Sequence, residues 1–210
     1  PTRGAPPLWT PLFQQPARGQ SQRTYNYAMR IGILSDTHLP ETIRHLDHLG
    51  PEPASFFSTV DLILHSGDLT SPIILDWLEQ FAPVLCSTGN NDPIPDRRSQ
   101  EVQMVEAEGW RIGMVHSLGP PSRSVEELQK TFRSTVDIMI SGHTHYEALE
   151  YRDGVLLLNS GSITFPHNKN LRLGTVGLLE LSSKGVHAEV IALGNSPGRP
   201  NPGKGMALDI

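Results

Sequence analysis

Cysteine is almost missing from this 210-residue sequence. Cys86 is the only one. That excludes an internal disulfide and a thiolate zinc site, and it fits a reducing cytoplasm. A metal would have to use His, Asp, Asn or Glu, a donor set that suits hard or borderline divalent ions. No apolar run approaches the roughly 18 residues needed to span a bilayer, so no membrane segment is expected. Basic charge is also in deficit. Against 22 Asp and Glu stand 17 Lys and Arg, a formal charge of -5, so net charge offers nucleic acid no attraction. A fixed internal repeat, on the order of 20–50 residues, is absent as well.

Acids are missing from one whole segment. Residues 1–28 hold five prolines and three arginines but no Asp or Glu. Such a composition buries little apolar surface and reads as a flexible extension. An Arg-rich, acid-poor leader suggests a transit peptide, but the prolines spoil an amphipathic helix. Folding is therefore expected to start near Met29, with one domain over 29–193. The Gly- and Pro-rich residues 194–210 read as a loose, flexible tail.

What is present between these ends is an alternation of short apolar runs and helical stretches. "RIGILSD", "VDLILHSGD" and "PVLCSTGNND" read as buried strands. Residues 41–49 have helical spacing, and Ser71 is expected to cap a helix with Pro72 at its first position, running to about Gln80. Strand, helix, strand, helix, strand points to a parallel sheet with covering helices. The rest is richer in β structure. Hairpins are expected at Glu108-Gly109, Asp153-Gly154 and Lys184-Gly185. Ser124 and Glu127 form a capping box that opens a helix through about Phe132, and "VDIMISGHTH" is another buried strand. The class is α/β, with two sheets face to face and helices outside.

Five strand ends then deliver metal-competent side chains. "SDTH" brings Asp36 and His38, "SGD" brings Asp68, "GNND" brings Asn90, Asn91 and Asp92, "VHS" brings His116, and "SGHTH" brings His143 and His145. Taken singly, each has a plain reading as a cap, a turn residue or a core histidine. Their recurrence at strand ends, where α/β sheets gather ligands, is what points to a site. Two divalent ions about 3.5–4 Å apart need a bridging anion, and Asp68 after Gly67 is the natural bridge. A water between such ions would be acidified toward hydroxide and could attack phosphorus in line. Asp92 is expected to orient the Asn90 loop or a ligand, and His167 is the one other histidine considered near the site. His45, His48, His65 and His187 read as surface or structural.

With "NSGS" after the last of them, these motifs resemble the calcineurin-like metallophosphoesterases, most of all their small single-domain prokaryotic phosphodiesterases. The resemblance covers roughly residues 29–193. It implies a four-layer α-β-β-α sandwich of two mixed sheets flanked by helices. It implies that Asp36, His38, Asp68 and His145 hold one metal, and that Asp68, Asn90, His116 and His143 hold the other. Manganese is the expected ion, with iron, zinc, nickel or magnesium as alternatives. Asp68, Asn90 and His116 would also serve catalysis, and Asn91, Asp92 and His167 would contact the substrate. Many relatives carry a histidine as leaving-group acid where this chain has Asn91, and H-G-H where it has His116-Ser117-Leu118.

The implied activity is hydrolysis of a phosphate ester, most simply a phosphodiester. A cyclic nucleotide, a 2′,3′-cyclic phosphate, a nucleic-acid end or a test ester would all fit, so nucleic acid enters only as a substrate. The similar small phosphodiesterases often form dimers or tetramers, so the resemblance leaves a homo-oligomer open, while the sequence itself is silent on oligomeric state. The rival reading is a scaffold, because a retromer subunit shares the fold, has lost ligands and activity, and binds partner proteins. A larger, Arg-lined protein phosphatase fits this chain less well.

Overall fold

The structure, a computed structural model, describes residues 29–39, 43–132 and 134–210. The expected extension 1–28 lies outside the described residues, as does part of the expected helix 41–49. In the first strand, β1 (Met29–Leu34), alternation sets the layers. Ile31 and Ile33 point into one apolar layer and Leu34 into another, as the two-residue period of a strand requires. Gly32 faces the second layer because a Cβ there would press on the Phe56 ring at 3.2 Å.

Strands β2 (Leu62–His65), β3 (Val84–Ser87) and the short β4 (Ser99–Gln100) run parallel to β1. Three antiparallel strands, β10 (Thr175–Ser182), β11 (Gly185–Ala192) and β12 (Met206–Asp209), complete a seven-stranded sheet in the order β12-β11-β10-β1-β2-β3-β4. The second sheet has five strands. They are β5 (Val102–Ala107), β6 (Trp110–Val115), β7 (Ile138–Ser141), β8 (Glu147–Arg152) and β9 (Val155–Ser160), in the order β5-β6-β7-β9-β8. Here β6, β7 and β9 are parallel and the outer strands antiparallel. Both sheets are mixed, as expected.

Leu62 and Leu64 from the first sheet meet Ile112, Ile138, Ile140 and Leu158 from the second in a dry layer. Truncating one such leucine to alanine costs about 2–5 kcal/mol. The outer face of the first sheet is covered by α1 (Glu52–Phe57) and α2 (Ile73–Leu78), and that of the second by α3 (Val125–Gln129). The helical layers are thus present but thin.

Several local expectations need correction. The stretch 41–49 yields only a three-residue 3-10 turn, Leu46–His48, among its described residues. Ser71 makes no cap bond; Pro72 itself takes the N-cap position of α2, and the helix stops at Leu78. The capping box does form, Ser124 with Glu127, but α3 ends at Gln129, short of Phe132. The segment read as a loose tail carries β12, which pairs His187 with Asp209 and Val190 with Met206, so the sheet reaches beyond residue 193. Its alternating burial was masked by the glycines and prolines around it. No helix among the described residues is long and apolar enough to cross a membrane.

Candidate metal centre

The parallel pairing of β1, β2 and β3, and of β6 and β7, aims all five ligand-bearing strand ends at one edge of the sandwich. There the backbone is unusual. Asp36 (φ 52°), His38 (φ 38°), Asp68 (φ 59°), His143 (φ 70°) and His145 (φ 61°) are all left-handed. Non-glycine residues rarely adopt this region, and each pays on the order of 1–3 kcal/mol. Hydrogen bonds hold them there. Asp36 N–H donates to the Gly67 carbonyl at 3.0 Å, His38 N–H to the Asp68 carbonyl at 3.0 Å, and His143 N–H to Asp36 Oδ2 at 2.9 Å. Gly142 and Gly89 must lack side chains, since a Cβ on Gly142 would strike Ser35 and Asp36 and one on Gly89 would strike Asp68.

The result is two groups of donor atoms. Asp36, His38 and His145 form one and Asp68, His116 and His143 the other, with the ligand atoms of each within 4.8 Å of one another. In the first, Asp36 Oδ1 lies 3.9 Å from His38 Nε2 and 3.6 Å from His145 Nε2, which are themselves 3.2 Å apart. In the second, His116 Nε2 lies 3.1 Å from Asn90 Oδ1, 3.2 Å from His143 Nδ1 and 3.4 Å from Asp68 Oδ2. Asp68 Oδ2 is also 3.4 Å from His38 Nε2, so one oxygen stands between the groups.

Proton bookkeeping shows what this arrangement suits. His145 Nδ1 lies 3.0 Å from the Phe165 carbonyl and His116 Nδ1 2.8 Å from the Ser66 carbonyl. A carbonyl only accepts, so both Nδ1 atoms carry the proton and both neutral rings present a lone pair at Nε2. Those lone pairs converge on carboxylate and amide oxygens, which are acceptors too. Asp36 Oδ1 is buried with no hydrogen-bond partner. Electron pairs facing electron pairs around two buried carboxylates and the buried His116 call for a cation, and the donor set of imidazole, carboxylate and amide fits divalent ions.

The electrostatics follow from burial and from these contacts. Burial pushes the Asp36 carboxyl up and the His38 imidazole down. For Asp68 burial also acts upward, but a bond from the protonated form of His116 and two bonds from Asn91 outweigh it and hold the carboxyl well below the usual range. His116 is opposed by burial yet raised by the Asp68 carboxylate and the Ser66 carbonyl. A proton on His116 Nε2 would occupy the spot where a cation would sit.

The three residues expected to contact substrate each make bonds within the protein. Asn91 donates to Asp68. The Asp92 carboxylate accepts the backbone N–H groups of Asp68, Leu69, Thr70 and Gly89 at 2.6–3.1 Å, clamping two motif loops together. His167 turns away, with Nε2 2.8 Å from Glu147 Oε2 and its ring stacked on Tyr146. His65 is structural as expected, wholly buried, accepting the Gly67 N–H and bonded to Thr37; burial pushes it down to about 3. Sequence reasoning missed the Ser66 and Phe165 carbonyls that set the tautomers, because backbone atoms leave no motif. It also missed Ser162 and Thr164, whose hydroxyls hold the Asp36 carbonyl at 2.7 and 3.1 Å; "NSGS" was the available signal.

Comparison with known proteins agrees with this geometry. Residues 29–184 match the family model for the calcineurin-like phosphoesterase superfamily domain. A probable metallophosphoesterase from Methanothermobacter thermautotrophicus is 36% identical over 168 residues, 79% of this chain and 94% of that protein. A phosphodiesterase from Methanocaldococcus jannaschii is 27% identical over 172 residues, 74% of this chain and 95% of that protein. Among solved structures, Vps29 from Entamoeba histolytica, complexed with zinc, superposes with a TM-score of 0.66 over 87% of this chain and 98% of its own, at 21% identity. At that identity the likeness speaks for the fold alone.

Proposed function

The chain belongs to the calcineurin-like phosphoesterase superfamily, and from that premise we propose that it is a phosphodiesterase working with two divalent ions, manganese foremost. The observation that carries this reading is the position of Asp68 Oδ2, 3.4 Å from both His38 Nε2 and His116 Nε2. Asp36, His38, Asp68 and His145 would hold one ion, and Asp68, Asn90, His116 and His143 the other. Such a pair, when bound, supplies Lewis acidity and lowers the pKa of water.

The chain's own residues do the rest. Asp68 offers one carboxylate to both groups and stays ionised because the backbone and side-chain N–H groups of Asn91 donate to it. The Ser66 and Phe165 carbonyls keep the lone pairs of His116 and His145 aimed inward. Asp92 ties the Asp68 and Asn90 loops into one rigid unit. Asn91 has no acidic proton to give, so leaving groups that depart unassisted are favoured.

The rival is a metal-binding scaffold for partner proteins, a reading the fold likeness to Vps29 supports. The complete donor set favours the enzyme. The test is metal analysis of purified protein, followed by hydrolysis of bis-p-nitrophenyl phosphate with manganese added. Two metals per chain and manganese-dependent turnover, both abolished in Asp68→Asn, are expected. Bound metal without turnover would favour the scaffold.

A further inference from the structure

The turn after the "NSGS" motif closes over the first donor group. Pro166–Asn168 form a 3-10 turn in which His167 (φ 54°) and Asn168 (φ 56°) are both left-handed. Two consecutive residues of this kind persist only where neighbours hold them. Here His167 N–H donates to the His145 carbonyl at 2.9 Å, its Nε2 meets Glu147 Oε2, and its ring lies parallel to Tyr146 with centroids 4.5 Å apart. The Phe165 carbonyl of the same turn takes the Nδ1 proton of His145.

So anchored, the turn carries the next side chains to the rim of a depression of about 300 Å³. Its walls are His38, His145, Phe165, Asn168 and Lys169. Two of these are candidate metal ligands, so the depression opens onto the centre itself. Lys169 is the one cation in that wall, and it is exposed. The only lysine ion pair among the described residues is Lys130 with Glu126, so Lys169 has no carboxylate of its own.

We propose that Lys169 is a specificity-determining residue that binds a second phosphate group of the substrate, flanking the phosphodiester to be cleaved. The inference rests on the phosphodiesterase reading. The scissile phosphate belongs between the two donor groups, where the ions would sit. An ammonium carried on the wall that Lys169 shares with His38 and His145 is placed for a neighbouring anion instead. Its flexible stem and point charge accept a phosphate without demanding fork geometry. The turn that holds it is strained and braced by four contacts, which is more support than an idle surface lysine needs. The substrate class is thus a nucleotide-like diester that bears a further phosphate. A test ester such as bis-p-nitrophenyl phosphate offers Lys169 nothing.

The experiment compares two chromogenic esters on the manganese-loaded full chain: thymidine 5′-(p-nitrophenyl phosphate), and the same compound with an added 3′-phosphate. The added phosphate should raise kcat/KM of the wild type about three- to tenfold, mainly through KM, as expected for a partly exposed ion pair. Lys169→Gln should erase that preference and Lys169→Arg should keep it. Lys184→Gln, a charge-matched change on the distant β10–β11 turn, should also keep it. Calorimetric titration of thymidine 3′,5′-bisphosphate gives a readout without turnover. Affinity should fall by the same factor in Lys169→Gln, and the wild-type advantage should shrink as salt rises. Equal preference, or equal affinity, in wild type and Lys169→Gln overturns the assignment of Lys169 while leaving the phosphodiesterase intact. A wild type that binds the bisphosphate through Lys169 but hydrolyses neither ester overturns the phosphodiesterase reading instead.

Discussion

Asn91 donates twice to Asp68: its backbone N–H reaches Oδ1 at 2.8 Å and its side-chain amide reaches Oδ2 at 2.8 Å. Both oxygens of the carboxylate shared by the two donor groups are therefore oriented by one residue. In many relatives that residue is expected to be an acid for the leaving group. Here it orients the Asp68 carboxylate.

Removing the amide should loosen metal binding more than the fold. Asn91→Ala keeps the backbone donor and loses the one to Oδ2. Metal affinity should drop about 10–100-fold, the usual effect of losing a partner that orients a ligand. Competition with a chelator would measure it. An unchanged affinity would mean that Asp68 is held without Asn91.

The leaving group should reveal the missing acid. Aryl diesters, whose phenolate leaving group needs no proton, should be hydrolysed far faster than alkyl diesters. General acid help is worth about 10²–10⁴-fold. At saturating manganese, Asn91→His should raise the ratio of alkyl to aryl rate, as its imidazole reaches the departing oxygen. Paired rates on one aryl and one alkyl ester decide it. An efficient wild type on alkyl esters would locate the proton donor elsewhere.

Metal occupancy should depend on pH in one direction. Imidazoles bind metal only when neutral, and both Asp carboxylates must be ionised, so every competing proton displaces metal. Added manganese should raise Tm near neutral pH and lose this effect as pH falls below about 6. Stabilisation that persists undiminished at about pH 4 would exclude histidine from the donor sets.

A second site bears on stability alone. The buried Arg98 guanidinium joins Asp96 at 2.7 Å, Asp76 at 2.7 Å and Glu79 at 2.9 Å. Its hydrogen bonds lower the Asp96 carboxyl from 3.8 to about 2. A depressed folded-state value means stability that is present above the ordinary carboxylate range and lost as pH falls toward 2. Arg98→Ala should cost on the order of 2 kcal/mol at pH 7. The gap to wild type, read from urea midpoints, should narrow as Asp96 protonates between pH 3.8 and about 2. A gap that stays constant over that range would mean Arg98 acts by packing rather than charge.

Most of the strands, the hairpins at Glu108-Gly109 and Asp153-Gly154, and the cluster of Asp36, His38, Asp68, Asn90, His116, His143 and His145 were readable from order and spacing. Apolar runs bury themselves with a two-residue period, and polar residues at their ends have few other places to go. Sequence could not reveal which lone pairs face inward. That depends on the Ser66 and Phe165 carbonyls, contributed by residues 50 and 20 positions away from His116 and His145. Nor could it tell that Asn91 and Asp92 bond to Asp68 and its loop, that His167 meets Glu147, or that Met206–Asp209 completes a sheet. Each of these is settled by long-range hydrogen bonds, and such bonds exist only once the two sheets have packed and brought distant backbone groups within 3 Å or so of one another. Local pattern determines where a strand stops and what stands at its end. Only tertiary packing decides which atom of that side chain is left free to bind.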